Sequence, residues 1–177
     1  MTKWEAIDAF LAHAAIAVVG VSRTERKFGN MACRVLREKG YRVHQVHRRA
    51  TTIGGQPCYP TLDTLPEKVD AVLVVVPPWE AIDVIGEAAA AGIHYVWLQQ
   101  GAESVEAANL AARLKITLIV GECILMFARP TGIHFVHGLV RRAMGVIPIQ
   151  RNRGRIAADG LRFVRTPSHR SERLVLR

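Results

Sequence analysis

The side chains best suited to anion binding lie in one loop near the start of the chain. Ser22, Arg23 and Lys27 follow a short run of small and β-branched apolar residues that ends at Gly20. A hydroxyl donor and two positive charges, set beside backbone N–H groups and the start of a helix, are groups that bind phosphate. We therefore predict a phosphate-binding loop here. The next glycine is Gly29, so the spacing departs from the G-x-G-x-x-G pattern and argues against a standard NAD site.

A second group of basic residues, His47, Arg48 and Arg49, follows the next predicted strand. Many NAD-binding folds carry an acid at this point, which binds the ribose hydroxyls. Guanidinium groups instead form forked, charge-assisted hydrogen bonds to phosphate, and this suits a phosphorylated ribose. Both NADP and coenzyme A (CoA) carry such a ribose. The alternative for both basic segments is an ordinary solvated loop that binds no ligand.

Residues that could bind a metal or act as a nucleophile are few. Cys123, His134 and His137 are three ligands of mixed type, and the first is distant in sequence, so we predict no metal site. Cys123 is either a reactive thiol near a strand end or a buried small apolar residue. The sequence has no H-E-x-x-H motif and no Walker lysine, and it shows no Ser/His/Asp arrangement. We therefore predict no catalytic residue and do not expect an enzyme.

Five predicted strands position these groups, and helices alternate with the strands. The strands cover residues 15–19, 41–46, 70–76, 94–98 and 116–120. Apolar residues recur at helical spacing in residues 4–14, 28–39, 79–91 and 104–114. Alternation of this kind predicts parallel βαβ units with right-handed crossovers. We therefore predict an α/β fold, Rossmann-like and doubly wound, with a mostly parallel five-stranded sheet and helices on both faces.

A short segment follows each predicted strand and contains the residues of interest. In doubly wound sheets, ligands bind beyond the carboxyl ends of the strands, where the strand order switches. We therefore expect these segments to lie close together. They are residues 20–23, 47–49, 77–78, 99–101 and 121–123.

The positive charge of the chain is concentrated in its last part. The 177 residues carry a formal net charge of +9, yet residues 1–140 contain 14 Lys and Arg against 13 Asp and Glu. Residues 141–177 contain 10 arginines against two acids. We therefore predict one domain over residues 1–140 and a basic, arginine-rich C-terminal extension over residues 141–177. This extension is either a solvated segment, which we favour, or a basic arm that binds nucleic acid.

The cysteines and the hydropathy pattern indicate a cytoplasmic protein. The three cysteines are an odd number without C-x-x-C spacing, which is typical of a reducing compartment. Charged residues interrupt every apolar run, so we expect no membrane span. The first residues lack the apolar core of a signal peptide.

Several separated segments resemble the stand-alone CoA-binding proteins, which are relatives of the CoA-binding domain in the succinyl-CoA synthetase alpha subunit. The matching segments are AVVGVSR (17–23), GYRVHQVHR (40–48), GGQPCYPTLDTLP (54–66), VDAVLVVVPP (69–78) and YVWLQQGA (95–102), together with the position of Cys123. The chain departs from the synthetase because it shows neither the second domain that holds the phosphorylated histidine nor a nucleotide-grasp domain. Ligase activity by this chain alone is therefore not expected.

The resemblance also implies which residues bind CoA. The loop at residues 20–23 and the helix start near Gly29 would bind the diphosphate. His47 and Arg48 would lie near the ribose phosphate, and residues 76–77 would form part of the adenine wall. The complete predicted set is Gly20, Val21, Ser22, Arg23, Lys27, Gly29, His47, Arg48, Val76, Pro77, Gln99 and Gly101.

The leading hypothesis is a small, cytoplasmic module that binds CoA or acyl-CoA without catalysis, with this small molecule as its partner. The sequence is compatible with a homo-oligomer, and nucleic acid is not the expected partner. The alternatives are an NADP-dependent oxidoreductase and a nucleic-acid-associated protein that acts through the basic extension. The loop spacing argues against the first alternative, and the scarcity of aromatic residues argues against the second.

Overall fold

The computed structural model describes residues 1–128, and the elements below belong to that range. The predicted extension at 141–177, with His134 and His137, lies outside the described residues, and the predicted domain boundary stays a prediction. The elements in chain order are α1 (Lys3–Ala12), β1 (Ala15–Val19), α2 (Phe28–Glu38), β2 (Arg42–Val46), β3 (Thr52–Ile53), β4 (Gln56–Tyr59), β5 (Ala71–Val74), α3 (Pro78–Ala90), β6 (Tyr95–Gln99), α4 (Val105–Arg113) and β7 (Thr117–Glu122). Short 3-10 helices cover Leu62–Thr64 and Ile124–Met126.

The strands form one mostly parallel sheet with the order β3-β4-β2-β1-β5-β6-β7. The α/β architecture and the parallel pairing agree with the prediction, but the sheet has seven strands, so the prediction of five was wrong. The two additional strands, β3 and β4, form an antiparallel hairpin around Gly54 and Gly55. The sequence signal was weak because β3 has only two residues and β4 contains Pro57, and proline is disfavoured within strands.

Both faces of the sheet are covered by helices. Ile16 and Val18 of β1 belong to the core beneath α1 and α2, whereas Ala15 and Ala17 of the same strand belong to the core beneath α3 and α4. Because successive side chains of a strand point to opposite faces, a strand covered on both sides is apolar at every position. This explains why the first apolar run has no alternating polar residues.

A group of three charged side chains joins β2 to the loop before β5. The Arg42 guanidinium donates two hydrogen bonds to the Glu67 carboxylate, each 3.0 Å long, and His44 Nε2 lies 2.7 Å from the same carboxylate. Hydrogen bonds from Arg42 and His44 lower the pKa of Glu67 to about 2. Glu67 is therefore a fully paired carboxylate at neutral pH.

The strand order places a topological switch point between β1 and β5. The chain crosses from β1 to β2 through α2 on one face, and from β5 to β6 through α3 on the other. The connections therefore leave β1 and β5 in opposite directions, which opens a crevice at their carboxyl ends. No helix within residues 1–128 combines the length and the apolar character needed to cross a lipid bilayer.

Candidate functional site

A cleft of about 270 Å³ lies at the switch point, and we name it the first cleft. It opens at the carboxyl ends of β1, β2 and β5, beside one face of α3. The residues that line it are Val19, Gly20, Val21, Val46, His47, Arg48, Arg49, Pro60, Val76, Glu80, Val84 and Glu87. The location is the one at which doubly wound folds bind their ligands.

The structure brings five of the twelve predicted residues together in this cleft. These are Gly20, Val21, His47, Arg48 and Val76. The other seven do not line it: Ser22, Arg23, Lys27, Gly29, Pro77, Gln99 and Gly101. The strand-end segments after β1, β2 and β5 therefore meet, whereas the segment after β6 lies apart from the cleft lining.

Two glycines allow the loop after β1 to pack closely against its neighbours. Gly20 has φ +107°, and a Cβ atom on it would lie 2.2 Å from the carbonyl oxygen of Val75. A Cβ atom on Gly29 would lie 2.4 Å from the carbonyl oxygen of Gly20. The spacing of these glycines thus has a packing cause, since the loop approaches the end of β5 and α2 packs on the loop. A contact of Gly29 with a ligand remains a prediction.

The side chain of Asn30 holds the loop in its shape. Its Oδ1 atom accepts a hydrogen bond of 2.9 Å from the N–H group of Ser22. Its Nδ2 atom donates to the carbonyl oxygens of Ser22 and Thr24, at 2.7 and 3.1 Å. The backbone N–H of Ser22 is therefore already engaged within the loop. Sequence reasoning missed Asn30 because it considered only the apolar face of this helix.

The ring of His47 has a defined orientation and a defined tautomer. Its Nδ1 atom accepts hydrogen bonds from the backbone N–H groups of Arg49 and Ala50, at 3.1 and 2.9 Å. Two N–H donors directed at Nδ1 require a lone pair there, so the hydrogen of the neutral ring is on Nε2. Half-buried at the lip of the cleft, His47 presents an N–H donor that suits a phosphate or ribose oxygen.

Arg48 contacts a carboxylate across the first cleft. Its Nη2 atom donates to Oε1 of Glu87 on α3 at 3.1 Å. Glu80, seven residues earlier on the same helix, also lines the cleft. One wall of the cleft is therefore basic and the other is acidic. The two glutamates were missed because the sequence reasoning used α3 only for its apolar face.

The remaining predicted residues have other contacts. Arg23 donates to the backbone carbonyl oxygen of Arg49 at 3.4 Å, and Lys27 is the exposed N-cap residue of α2. Gln99 is buried and its Oε1 atom accepts from the N–H of Ile124 at 3.2 Å. The N–H of Gly101 donates to the carboxylate of Glu103, and Pro77 is the N-cap residue of α3. These contacts are structural, and only that of Arg23 involves a residue of the first cleft, since Arg49 lines it.

The three cysteines are free thiols, and two of them are buried. Burial raises the pKa of Cys33 to about 12 and also raises the pKa of Cys58. Since the thiolate is the reactive form, neither of these residues suits nucleophilic chemistry. Cys123 is half-buried and does not line the first cleft.

The sequence model of a protein family described as "CoA binding domain" matches residues 14–129. Among proteins of known function, an ADP-forming acetate–CoA ligase I from Archaeoglobus fulgidus is 40% identical over 62 residues. That match covers 35% of this chain and 9% of the ligase, so the chain corresponds to a small part of that relative.

Two solved structures show the same fold. A conserved hypothetical protein from Pyrococcus furiosus is 36% identical, with a TM-score of 0.60, and the match covers 63% of this chain and 97% of that one. An acetyl-coenzyme A synthetase 1 from Candidatus Korarchaeum cryptofilum is 27% identical, with a TM-score of 0.55. That match covers 60% of this chain and 25% of the synthetase.

Proposed function

Since this chain belongs to the CoA-binding domain family, we propose that its first cleft binds CoA or an acyl-CoA without catalysing a reaction on it. The observation that carries the proposal is the meeting of the glycine loop, His47 and Arg48 at the switch point of the sheet. One cleft thus contains residues that carry backbone N–H groups, an imidazole N–H and a guanidinium. These are the donors that a phosphorylated ribose and a diphosphate require.

In this proposal the basic wall binds the 3′-phosphate of the CoA ribose. His47 and Arg48 both line the cleft from the segment after β2, and the Nε2–H of His47 is not used by the bonds that Nδ1 accepts. The pairing of Arg48 with Glu87 is a single hydrogen bond between exposed or half-exposed groups, so it costs little to exchange for a phosphate. Val76 and Val84 supply apolar surface of the kind that an adenine ring contacts.

The diphosphate belongs, in this proposal, at the loop after β1 and the first turn of α2. The first N–H groups of a helix have no partner within that helix, and the helix dipole favours an anion there. Ser22 contributes its hydroxyl rather than its N–H, because Asn30 accepts from that N–H. Arg23 and Lys27 are exposed and add positive charge beside the loop.

The proposal of binding without catalysis rests on how the polar groups of the cleft are engaged. Nδ1 of His47 accepts two backbone hydrogen bonds, and among the described residues no serine, threonine, cysteine or lysine lines the cleft beside Glu80 and Glu87 as a nucleophile. A general base needs a free lone pair within reach of a substrate proton. The similar proteins described above give no support to the alternative of an NADP-dependent oxidoreductase.

We further propose that the chain acts in the cytoplasm. The free thiols of Cys33, Cys58 and Cys123 fit a reducing compartment. Its partner in the proposal is the small molecule itself.

Calorimetric titration of the full chain with CoA, 3′-dephospho-CoA and NADP tests the proposal. Loss of one or two charge-assisted hydrogen bonds to phosphate corresponds to roughly 10- to 100-fold weaker binding. We therefore expect CoA to bind most tightly and 3′-dephospho-CoA to bind more weakly by about that factor. Equal affinities would remove the role of Arg48. No binding of CoA at all would overturn the proposed function.

A further inference from the structure

A second and larger cavity, of about 600 Å³, lies between α2, β2 and the β3–β4 hairpin, and we name it the second cleft. Three arginines line it: Arg23 from the loop after β1, and Arg34 and Arg37 from α2. Residues three apart on a helix share a face, so Arg34 and Arg37 are neighbours on the side of α2 that borders the cavity. The second cleft is a separate space, because no residue lines both clefts.

Neutral oxygen atoms hold two of these guanidinium groups in place. Arg37 Nη2 donates to the carbonyl oxygen of Val43 at 3.1 Å. With its amide oxygen turned toward Arg37, buried Gln45 also accepts from both terminal nitrogens of this guanidinium, at 3.0 and 3.1 Å. Arg23 donates to the carbonyl oxygen of Arg49. An arginine has five N–H donors, so donors remain on both groups.

The positive charges of the second cleft are not neutralised by ion pairs. Within residues 1–128, none of the three arginines forms a salt bridge with a carboxylate. By contrast, Arg42 and Arg48 each pair with a glutamate. Guanidinium groups fixed by neutral acceptors keep their full charge for a ligand, and they need little reordering to bind it.

We propose that the second cleft binds a small phosphate ester that also carries hydroxyl groups, such as a sugar phosphate. The guanidinium groups bind the phosphate, with Arg34 as the contact that forms no other side-chain hydrogen bond or ion pair within residues 1–128. Glu25 and Glu38 also line the cavity, and carboxylates accept hydrogen bonds from hydroxyl groups. The exposed glycine turn of the hairpin leaves room, because a Cβ atom on Gly54 would meet nothing within 4 Å.

A titration followed by amide NMR tests this assignment residue by residue. The probes are ribose 5-phosphate, inorganic phosphate and ribose, each added to the full isotope-labelled chain. We expect ribose 5-phosphate to shift the amide signals of Thr52, Gly54 and Gln56. Inorganic phosphate should shift the same signals with lower affinity, and ribose should leave them unchanged.

Single substitutions in each cleft show which of the two clefts binds ribose 5-phosphate. Arg34→Gln should weaken ribose 5-phosphate binding about tenfold, because it removes a charge-assisted contact. Arg113→Gln, an equally exposed helical arginine outside the cavity, and Arg48→Gln, in the first cleft, should leave the shifts at Gly54 unchanged. Arg34→Gln is at an exposed position, so its melting temperature should match that of the Arg113→Gln control.

Three results would overturn the proposal. The first is an absence of shifts at about 10 mM ribose 5-phosphate, a concentration that would detect even weak binding. The second is a set of shifts confined to Gly20, His47 and Arg48. The third is an unchanged affinity in Arg34→Gln. If inorganic phosphate bound as tightly as ribose 5-phosphate, the contribution of the hydroxyl groups and of the two glutamates would be wrong.

Discussion

The first and second clefts both use arginine side chains, but the groups that hold those side chains differ. In the first cleft, Arg48 donates to the carboxylate of Glu87. In the second cleft, Arg37 donates to the carbonyl oxygen of Val43 and to the amide oxygen of Gln45. A carboxylate orients a guanidinium and also offsets its charge, whereas a neutral oxygen only orients it.

This difference predicts different behaviour toward anions. A phosphate that enters the first cleft must share Arg48 with Glu87 or exchange with it, so the cleft selects ligands that place a phosphate at one point. In the second cleft no arginine forms an ion pair within residues 1–128, and Glu25 and Glu38 line the same space, so we expect selection there through the hydroxyl groups of the ligand. Arginine is therefore expected to bind phosphate in competition with an ion-paired carboxylate in the first cleft, and without such an ion pair in the second.

The largest expected effect comes from the loop that separates the two clefts. Gly20→Ala would place a Cβ atom 2.2 Å from a backbone oxygen, at a φ of +107° that only glycine adopts readily. We expect the free energy of unfolding to fall by about 2–4 kcal/mol, and both clefts to lose their shape. Urea denaturation of the purified variant measures this.

Gly86→Ala is the matched control for that variant. Gly86 lies within α3, and a Cβ atom there would meet nothing within 4 Å. Replacing a helical glycine by alanine should raise stability by up to about 1 kcal/mol. If Gly20→Ala were as stable as the wild type, the packing explanation for this loop would be wrong.

Arg48→Gln should weaken the binding of CoA to the first cleft but not that of 3′-dephospho-CoA. We expect CoA binding to weaken about tenfold, because the variant loses a charge-assisted hydrogen bond to the 3′-phosphate. Binding of 3′-dephospho-CoA should change little. Calorimetry with both ligands checks this, and an equal loss for both would mean that Arg48 contacts some other part of the molecule.

Glu87→Gln should produce a smaller effect in the opposite direction. Without the carboxylate, Arg48 has no ion-pair partner within residues 1–128, and a phosphate meets one negative charge fewer in the cleft. We expect CoA affinity to rise about threefold, in proportion to the modest strength of an exposed ion pair. Asp83→Asn removes the same charge from an exposed position of the same helix and should have no such effect. Weaker CoA binding in Glu87→Gln would show that Glu87 chiefly orients Arg48.

The smallest expected effect concerns Arg42, which is paired more completely than the arginines of either cleft. The hydrogen bonds that Arg42 and His44 donate to Glu67 lower the pKa of this carboxylate to about 2 from the ordinary value of 4.5. Because the pKa of Glu67 is lower in the folded state, its ionised carboxylate stabilises the fold at pH values above about 4.5. This contribution should therefore be lost as the pH falls from about 4.5 to about 2. Thermal unfolding of Glu67→Gln across this range should show a flatter decline than the wild type, whereas Asp83→Asn should follow the wild type.

Much of the fold followed from apolar periodicity. Continuous apolar runs gave the buried strands β1 and β5, and helical spacing gave α2 and α3, because these patterns reflect burial against the sheet. The hairpin of β3 and β4 was not predicted. Of its two strands, β4 is stabilised by pairing with β2, at Gln45 with Cys58 and at Val46 with Tyr59, which is a contact that local sequence does not reveal.

The site was predictable only where chemistry and chain position coincide. Gly20, His47 and Arg48 follow strands and line the first cleft, as their positions implied. Glu87 and Asn30 were missed, since they act through partners 39 and eight residues away in sequence. Hydrogen bonds of this kind depend on how helices pack on the sheet, and periodicity describes only which helix face is buried.

The hairpin also determines how one edge of the sheet meets its surroundings. β3 is the outermost strand and contains only Thr52 and Ile53, and Thr52 is opposite Pro57 in β4. Such a short border offers few unpaired peptide groups to an extended segment from another molecule. Proline further limits regular pairing beside it. On this side, the protein is thus protected against the strand-to-strand association that leads to aggregates.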